Sequence, residues 1–181
     1  MLALLTREER VTHLKDIFVS LMWIAARHFS QRLQTFGLTH PQFMVLASLA
    51  AHQQACAMRD LTEVTFQDPP TMTGIIDRLV KMELVERTRS KTDRRVVLVQ
   101  AATSGIELVR RIKKESMQVD LQGYAAFTDD ELTVLEQSLN HLLRIHVELY
   151  TSLTGAELDA EIKKLQDFRN DPIHYMKLKS E

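Results

Sequence analysis

Residues 68–99 read DPPTMTGIIDRLVKMELVERTRSKTDRRVVLV, and their hydrophobic period changes halfway along. Met72, Ile75, Ile76, Leu79 and Val80 recur at intervals of three and four, which is the stripe of a helix half buried on other elements. Asp68 ahead of Pro69 supplies the start: a capping carboxylate, then a proline whose missing N–H would be an orphan in any case. Leu84-Val85-Glu86-Arg87 and Val96-Val97-Leu98-Val99 then form aliphatic and β-branched runs, parted by the polar and basic stretch Thr88 to Arg95. The spacing predicts a helix from Asp68 to Met82 and, after it, a two-stranded hairpin with a charged tip.

Outward from this stretch the chain is helical. Four Ser/Thr-x-x-Glu/Gln patterns mark helix starts, because the hydroxyl and the carboxylate or amide three residues on satisfy two orphan backbone donors reciprocally. They are Thr6 with Glu9, Thr39 with Gln42, Thr128 with Glu131 and Thr154 with Glu157. Behind Thr6, the positions Val11, Leu14, Phe18, Leu21, Met22 and Ala25 predict one helix of more than twenty residues, ending near Phe36 with Gly37 as its C-terminal cap. A shorter helix carries Phe43, Leu46, Ala47 and Ala50, and another lies around Met58 to Val64. Past the hairpin, Ile106, Val109, Ile112, Ser116 and Val119 define one long helix, and Leu132, Leu135, Leu139, Leu142, Leu143 and Leu149 define a second. A last amphipathic piece spans about Ala156 to Phe168.

Composition agrees. With 45% hydrophobic and 26% charged residues among 181, the chain is globular, and five glycines with four prolines leave few tight turns for an all-β fold. The apolar run Ile17 to Ala26 is too short to span a membrane and ends at Arg27, and the N-terminal residues lack a secretory signal, so a cytoplasmic protein is expected.

Helix, short helix, helix and basic-tipped hairpin is the order of a winged helix-turn-helix, which lays its last helix in the major groove and reaches sideways with the wing. The whole chain carries a formal charge of −1, so a nucleic-acid role rests on placement. Between Asp77 and Arg95 stand seven basic residues (Arg78, Lys81, Arg87, Arg89, Lys91, Arg94, Arg95) and four acidic ones, a local balance of +3. From Asp129 to Glu181 the balance is −5. Positive charge thus gathers on the hairpin, as a protein approaching phosphates from one side requires.

From Pro69 to Gly105 the sequence resembles the multiple-antibiotic-resistance regulator (MarR) family of bacterial transcription factors. The resemblance is carried by Thr71-Met72-Thr73-Gly74-Ile75-Ile76-Asp77-Arg78-Leu79, by Leu84-Val85-Glu86-Arg87, by Asp93-Arg94-Arg95 with Val96 to Val99, and by Gly105. Flanking helices extend it over most of residues 8–150, and the segment after Thr154 is longer than the family's usual ending. The fold expected is mainly α with a small β-hairpin wing. It divides into an N-terminal dimerisation helix (1–36), a winged helix-turn-helix DNA-binding domain (37–102), C-terminal dimerisation helices (103–152) and an added helix and tail (153–181).

The resemblance implies a recognition helix whose Thr71, Thr73, Gly74 and Arg78 lie nearest bases or phosphates, with Lys81 in the same basic set. It also implies that Arg95 enters the minor groove supported by Asp93, with Arg94 beside them, and that Arg87, Arg89 and Lys91 meet phosphates. Partners implied are a palindromic double-stranded operator and a second copy of the chain. The stripes of residues 11–25 and 132–149 are too long for a winged core to cover alone, which gives the pairing a reason. Three positions depart from the family pattern. Glu83 stands where glycine is usual and so carries a strain of roughly 1 kcal/mol if left-handed. Gly74 replaces a basic residue, removing one contact. Ala101-Ala102 moves the cap of the next helix to Thr103.

The family borders its winged domain with a pocket for small aromatic or hydrophobic effectors, and Trp23, Arg27 and His28 are the candidates here for an indole wall and cations. Plain packing accounts for Trp23 equally well. The lone Cys56 reads as a small buried side chain, since the family's peroxide sensors use a cysteine in the first long helix. No two of the seven histidines have the i, i+3 or i, i+4 spacing of a helical metal pair, so no metal or other cofactor is expected. Without a nucleophile set, a phosphate-cradling glycine loop or a ligand cluster, the chain does not read as an enzyme. The reading reached is a ligand-released repressor; the alternative is a helical interaction module whose winged domain no longer binds DNA.

Overall fold

Asp68 and Pro69 begin the clearest helix of the molecule. The Asp68 carboxylate accepts from the Thr71 backbone N–H at 2.9 Å, and the helix (α4, Pro69–Lys81) carries proline in its first turn. In the computed structural model, which describes residues 5–52, 54–65, 67–90 and 96–170 and side chains up to 165, seven helices and three strands follow one another. They are α1 (Arg7–Thr35), α2 (His40–His52), β1 (Cys56–Ala57), α3 (Met58–Thr65), α4, β2 (Val85–Arg89), β3 (Val97–Ala101), α5 (Thr103–Tyr124), α6 (Asp129–Thr151) and α7 (Gly155–Asn170). The chain divides into two units, Met1–His40 and Pro41–Glu181.

In the first unit, α1 opens on the expected capping box. Thr6 Oγ1 accepts from the Glu9 N–H, and the Glu9 carboxylate accepts from the Thr6 N–H at 2.7 Å. Its far end is a Schellman motif: Gly37 (φ 72°) donates to the Gln34 carbonyl and Leu38 to that of Leu33. Along its length Val11, Leu14, Phe18, Leu21 and Met22 are all exposed.

In the second unit the core gathers between α2, α3, α4 and the sheet, with Leu46, Leu49, Leu61, Met72, Ile76 and Leu79 removed from solvent. The hairpin is present, with Val85 facing Ala101 and Arg89 facing Val97. Its strands begin and end one or two residues later than their aliphatic runs. Leu84 is withheld from β2 because it closes α4, its N–H reaching the Leu79 carbonyl at 3.0 Å. A strand that the sequence does not announce, β1, adds to the other edge of β3, giving the antiparallel order β1-β3-β2 with Cys56 opposite Val99. Cys56 is buried there.

Glu83 occupies the same place after α4 that Gly37 occupies after α1. It is left-handed (φ 59°) and donates to the Val80 carbonyl at 2.9 Å, so the strain expected at this position is present. Its own carbonyl accepts from the Ser104 hydroxyl, and the Leu84 carbonyl accepts from the Ala102 N–H, tying this turn to the start of α5. Gly105 lies so close to this turn that a Cβ would stand 2.2 Å from the Leu84 carbonyl oxygen. The cap of α5 differs from the expectation: the N-cap is Ala102, with no side-chain bond, and Thr103 is already the first helical residue. One backbone bond, from the Ala102 N–H to the Leu84 carbonyl, holds the chain at this point.

Helix α6 opens on the Thr128–Glu131 box, and α7 returns along it. Leu158 and Val147 are buried where the two helices meet, and Arg144 pairs with Asp159 across them.

Candidate nucleic-acid interface

Helix α4 turns Met72, Ile75, Ile76 and Leu79 inward and leaves Pro70, Thr71, Thr73, Gly74, Asp77, Arg78 and Lys81 exposed. At 100° per residue, Pro70, Gly74, Asp77 and Lys81 stand opposite the buried stripe, with Thr71 and Arg78 on one flank and Thr73 on the other. Thr71, Thr73, Gly74 and Arg78, which the resemblance sets nearest DNA, and Lys81 therefore all lie on the exposed side of the helix, with Thr71 and Thr73 at its opposite edges. Both threonines turn their hydroxyl protons back to the helix: Thr71 to the Asp68 carboxylate at 2.7 Å, Thr73 to the Pro69 carbonyl at 3.0 Å. The two hydrogen bonds from Thr71, backbone first, hold the Asp68 carboxyl below the usual carboxylate range. A Cβ on Gly74 would meet nothing within 4 Å, so packing inside the chain does not demand glycine there.

The hairpin supplies the second part of the surface. Antiparallel pairing of β2 with β3 carries Arg87 and Arg89 on β2, and the Ser90 N–H donates to the Val96 carbonyl at 3.0 Å where the strands part. Lys91, Asp93, Arg94 and Arg95 lie outside the described residues. Arg78, Lys81 and Arg89 make no salt bridge among the described residues, and all three are exposed. Arg87 is held differently. Its Nη1 donates to Asp77 Oδ1 at 2.7 Å and its Nη2 lies 3.6 Å from the Met58 sulfur, so it bridges β2, α4 and the start of α3. Sequence counting registers Asp77 only as one of four acids near the hairpin; a partner ten residues away becomes visible only when strand and helix are placed.

On α1, Trp23, Arg27 and His28 are exposed, and the Arg27 guanidinium lies 5.3 Å from the Trp23 ring centroid, a cation–π contact. His28, next in sequence to Arg27, projects to a different side of the helix. Among the described residues no group of three His, Cys, Asp or Glu side chains is placed to hold a metal ion. Nor is any helix among them long and apolar enough to cross a membrane.

Comparison with known proteins decides the family. The model of the MarR family matches residues 36–96. An HTH-type transcriptional regulator of Bacillus subtilis, YsmB, is 31% identical over 133 residues, which cover 72% of this chain and 90% of YsmB. The chain belongs to the MarR family. Its members are transcriptional regulators rather than enzymes, in agreement with the reading of the sequence. Solved MarR-family structures share the winged-helix fold. A mutant MarR from E. coli superposes with a TM-score of 0.62 at 26% identity, covering 72% of this chain and 96% of that one. A MepR variant from S. aureus bound to an oligodeoxyribonucleotide superposes with a TM-score of 0.60 at 21% identity, over 72% of this chain and 95% of the other.

Proposed function

We propose that this MarR-family regulator is a homodimeric repressor that binds a palindromic DNA operator through α4 and the wing. The observation that carries the reading is the exposed side of α4, which holds Thr71, Thr73, Gly74, Arg78 and Lys81, beside a basic hairpin. In this reading α4 enters the major groove, and Arg78 and Lys81 meet its bases or phosphates. Arg87, Arg89 and Lys91 hold the backbone, and Arg95, with Asp93 and Arg94, enters the minor groove. MepR bound to an oligodeoxyribonucleotide supports the use of this fold on DNA.

Pairing is supported by the uncovered apolar residues of α1 and α6, among them Leu14, Trp23, Leu142 and Leu149. Residues 1–36 and 103–152 are the dimerisation helices of this reading, and residues 37–102 form the winged domain. A two-fold pair sets two recognition helices about 34 Å apart, one turn of duplex. A small aromatic or hydrophobic effector near Trp23, Arg27 and His28 then releases the operator by favouring another setting of the paired winged domains. The site of action is the cytoplasm.

Footprinting on the protein's own promoter tests the reading. The parent should protect two half-sites one turn apart, with affinity falling steeply as salt rises. Arg78→Ala and Arg95→Ala should each weaken binding by about tenfold or more while leaving thermal melting unchanged. An unprotected promoter, or affinity indifferent to salt, would leave the chain as an interaction module instead.

A further inference from the structure

Asp77 stands on the outward face of α4 between Gly74 and Lys81, where the DNA-binding reading brings phosphates and base edges. A bare carboxylate there repels the phosphate backbone, and the repulsion grows as water is excluded from the interface. Half of the Asp77 side chain remains in solvent. Its charge partner is Arg87, through a charge-assisted bond of 2.7 Å. Met58 braces the other guanidinium nitrogen at 3.6 Å, which keeps the fork directed at Asp77. Arg87 is also the less exposed of the pair, at 35% against 50%.

From this geometry we infer that Arg87 is a charge-masking residue: it cancels Asp77 on the recognition face and makes no phosphate contact of its own. The inference rests on the DNA-binding reading and reassigns one residue within it. The positive charge offered to phosphates is then that of Arg78, Lys81, Arg89 and the hairpin tip, with the Asp77–Arg87 pair a neutral unit between them. The wing is also registered to α4 through the same bond, because Arg87 lies in the middle of β2.

The test compares parent, Arg87→Gln and the double variant Asp77→Asn with Arg87→Gln, each titrated with promoter duplex at several salt concentrations. A half-exposed pair contributes too little for either variant to unfold, and melting curves check this. Arg87→Gln uncovers the carboxylate and should weaken binding by about tenfold. Adding Asp77→Asn should return affinity to within about threefold of the parent, with the slope of log K against log salt unchanged. A double variant as weak as Arg87→Gln, or a slope shallower by about one charge, makes Arg87 a phosphate ligand and overturns the assignment. So would an Arg87→Gln variant that binds as the parent does. A parent that binds no duplex would instead remove the DNA-binding reading, and this assignment with it.

Discussion

The winged region and the long helices are built from the same apolar side chains and differ in what covers them. In the winged region Leu46, Leu49, Leu61, Met72, Ile76 and Leu79 are withdrawn from water completely. On α1, Leu14 is 64% and Trp23 61% exposed, and on α6 Leu149 is 74% exposed. A helical stripe in a sequence announces that a surface will be covered without saying by what. Here the stripe of α4 is answered by residues of its own chain. Those of α1 and α6 are left for the second copy proposed above.

The largest effect that separates the two regions should come from paired truncations. Leu46→Ala opens a cavity in the winged core and should cost about 3 kcal/mol at every protein concentration. Leu149→Ala should change melting of dilute protein by no more than about 0.5 kcal/mol, and should instead raise the concentration at which copies pair in sedimentation. Equal, concentration-independent losses would erase the distinction. A smaller effect, of opposite sign, is expected where α4 meets the sheet. Glu83→Gly keeps the Schellman bonds, relieves the left-handed side chain and should stabilise the winged region by about 1 kcal/mol, read as a raised melting temperature. A lowered one would mean that Glu83 makes contacts worth more than its strain.

The smallest effect concerns acid, and it touches both regions. Asp68 in the winged region, and Glu9 and Glu131 at the starts of α1 and α6, are each held below the usual carboxylate range, chiefly by a backbone hydrogen bond with Thr71, Thr6 and Thr128 respectively. The unfolded chain therefore takes up protons first as pH falls. The contribution of these caps is complete above the ordinary carboxylate range and is lost as pH falls through that range and below it. Asp68→Asn retains a capping acceptor without the titration, so its melting temperature should fall less over that window than the parent's. Parallel curves for the two proteins would show that the cap carries no pH dependence.

These comparisons track what was legible in the sequence. The capping boxes at Thr6 and Thr128 and the Asp68-Pro69 start were readable because both partners lie within four residues. The helix–hairpin order was readable from the change of period. Three features were not. Strand β1 has two residues and no alternation of its own, and exists because β3 offers an edge. The bare N-cap at Ala102 is tied by its N–H to the carbonyl of Leu84, eighteen residues earlier in the chain. The Asp77–Arg87 bridge needed helix and strand to be set side by side before either charge had a partner. Of the surface proposed for DNA, the exposed side of α4 follows from the apolar spacing of Met72, Ile75, Ile76 and Leu79.

The strand order has a mechanical meaning. Because β1 reaches only Leu98 and Val99, β3 is gripped on both edges at that point, while toward the tip at Val97 it is paired with β2 alone. The wing is thus a cantilever clamped at its root. Amide hydrogen exchange along β3 should be slowest near Leu98 and Val99 and quicken toward Val97, so that the base of the wing stays in register with the helix beside it.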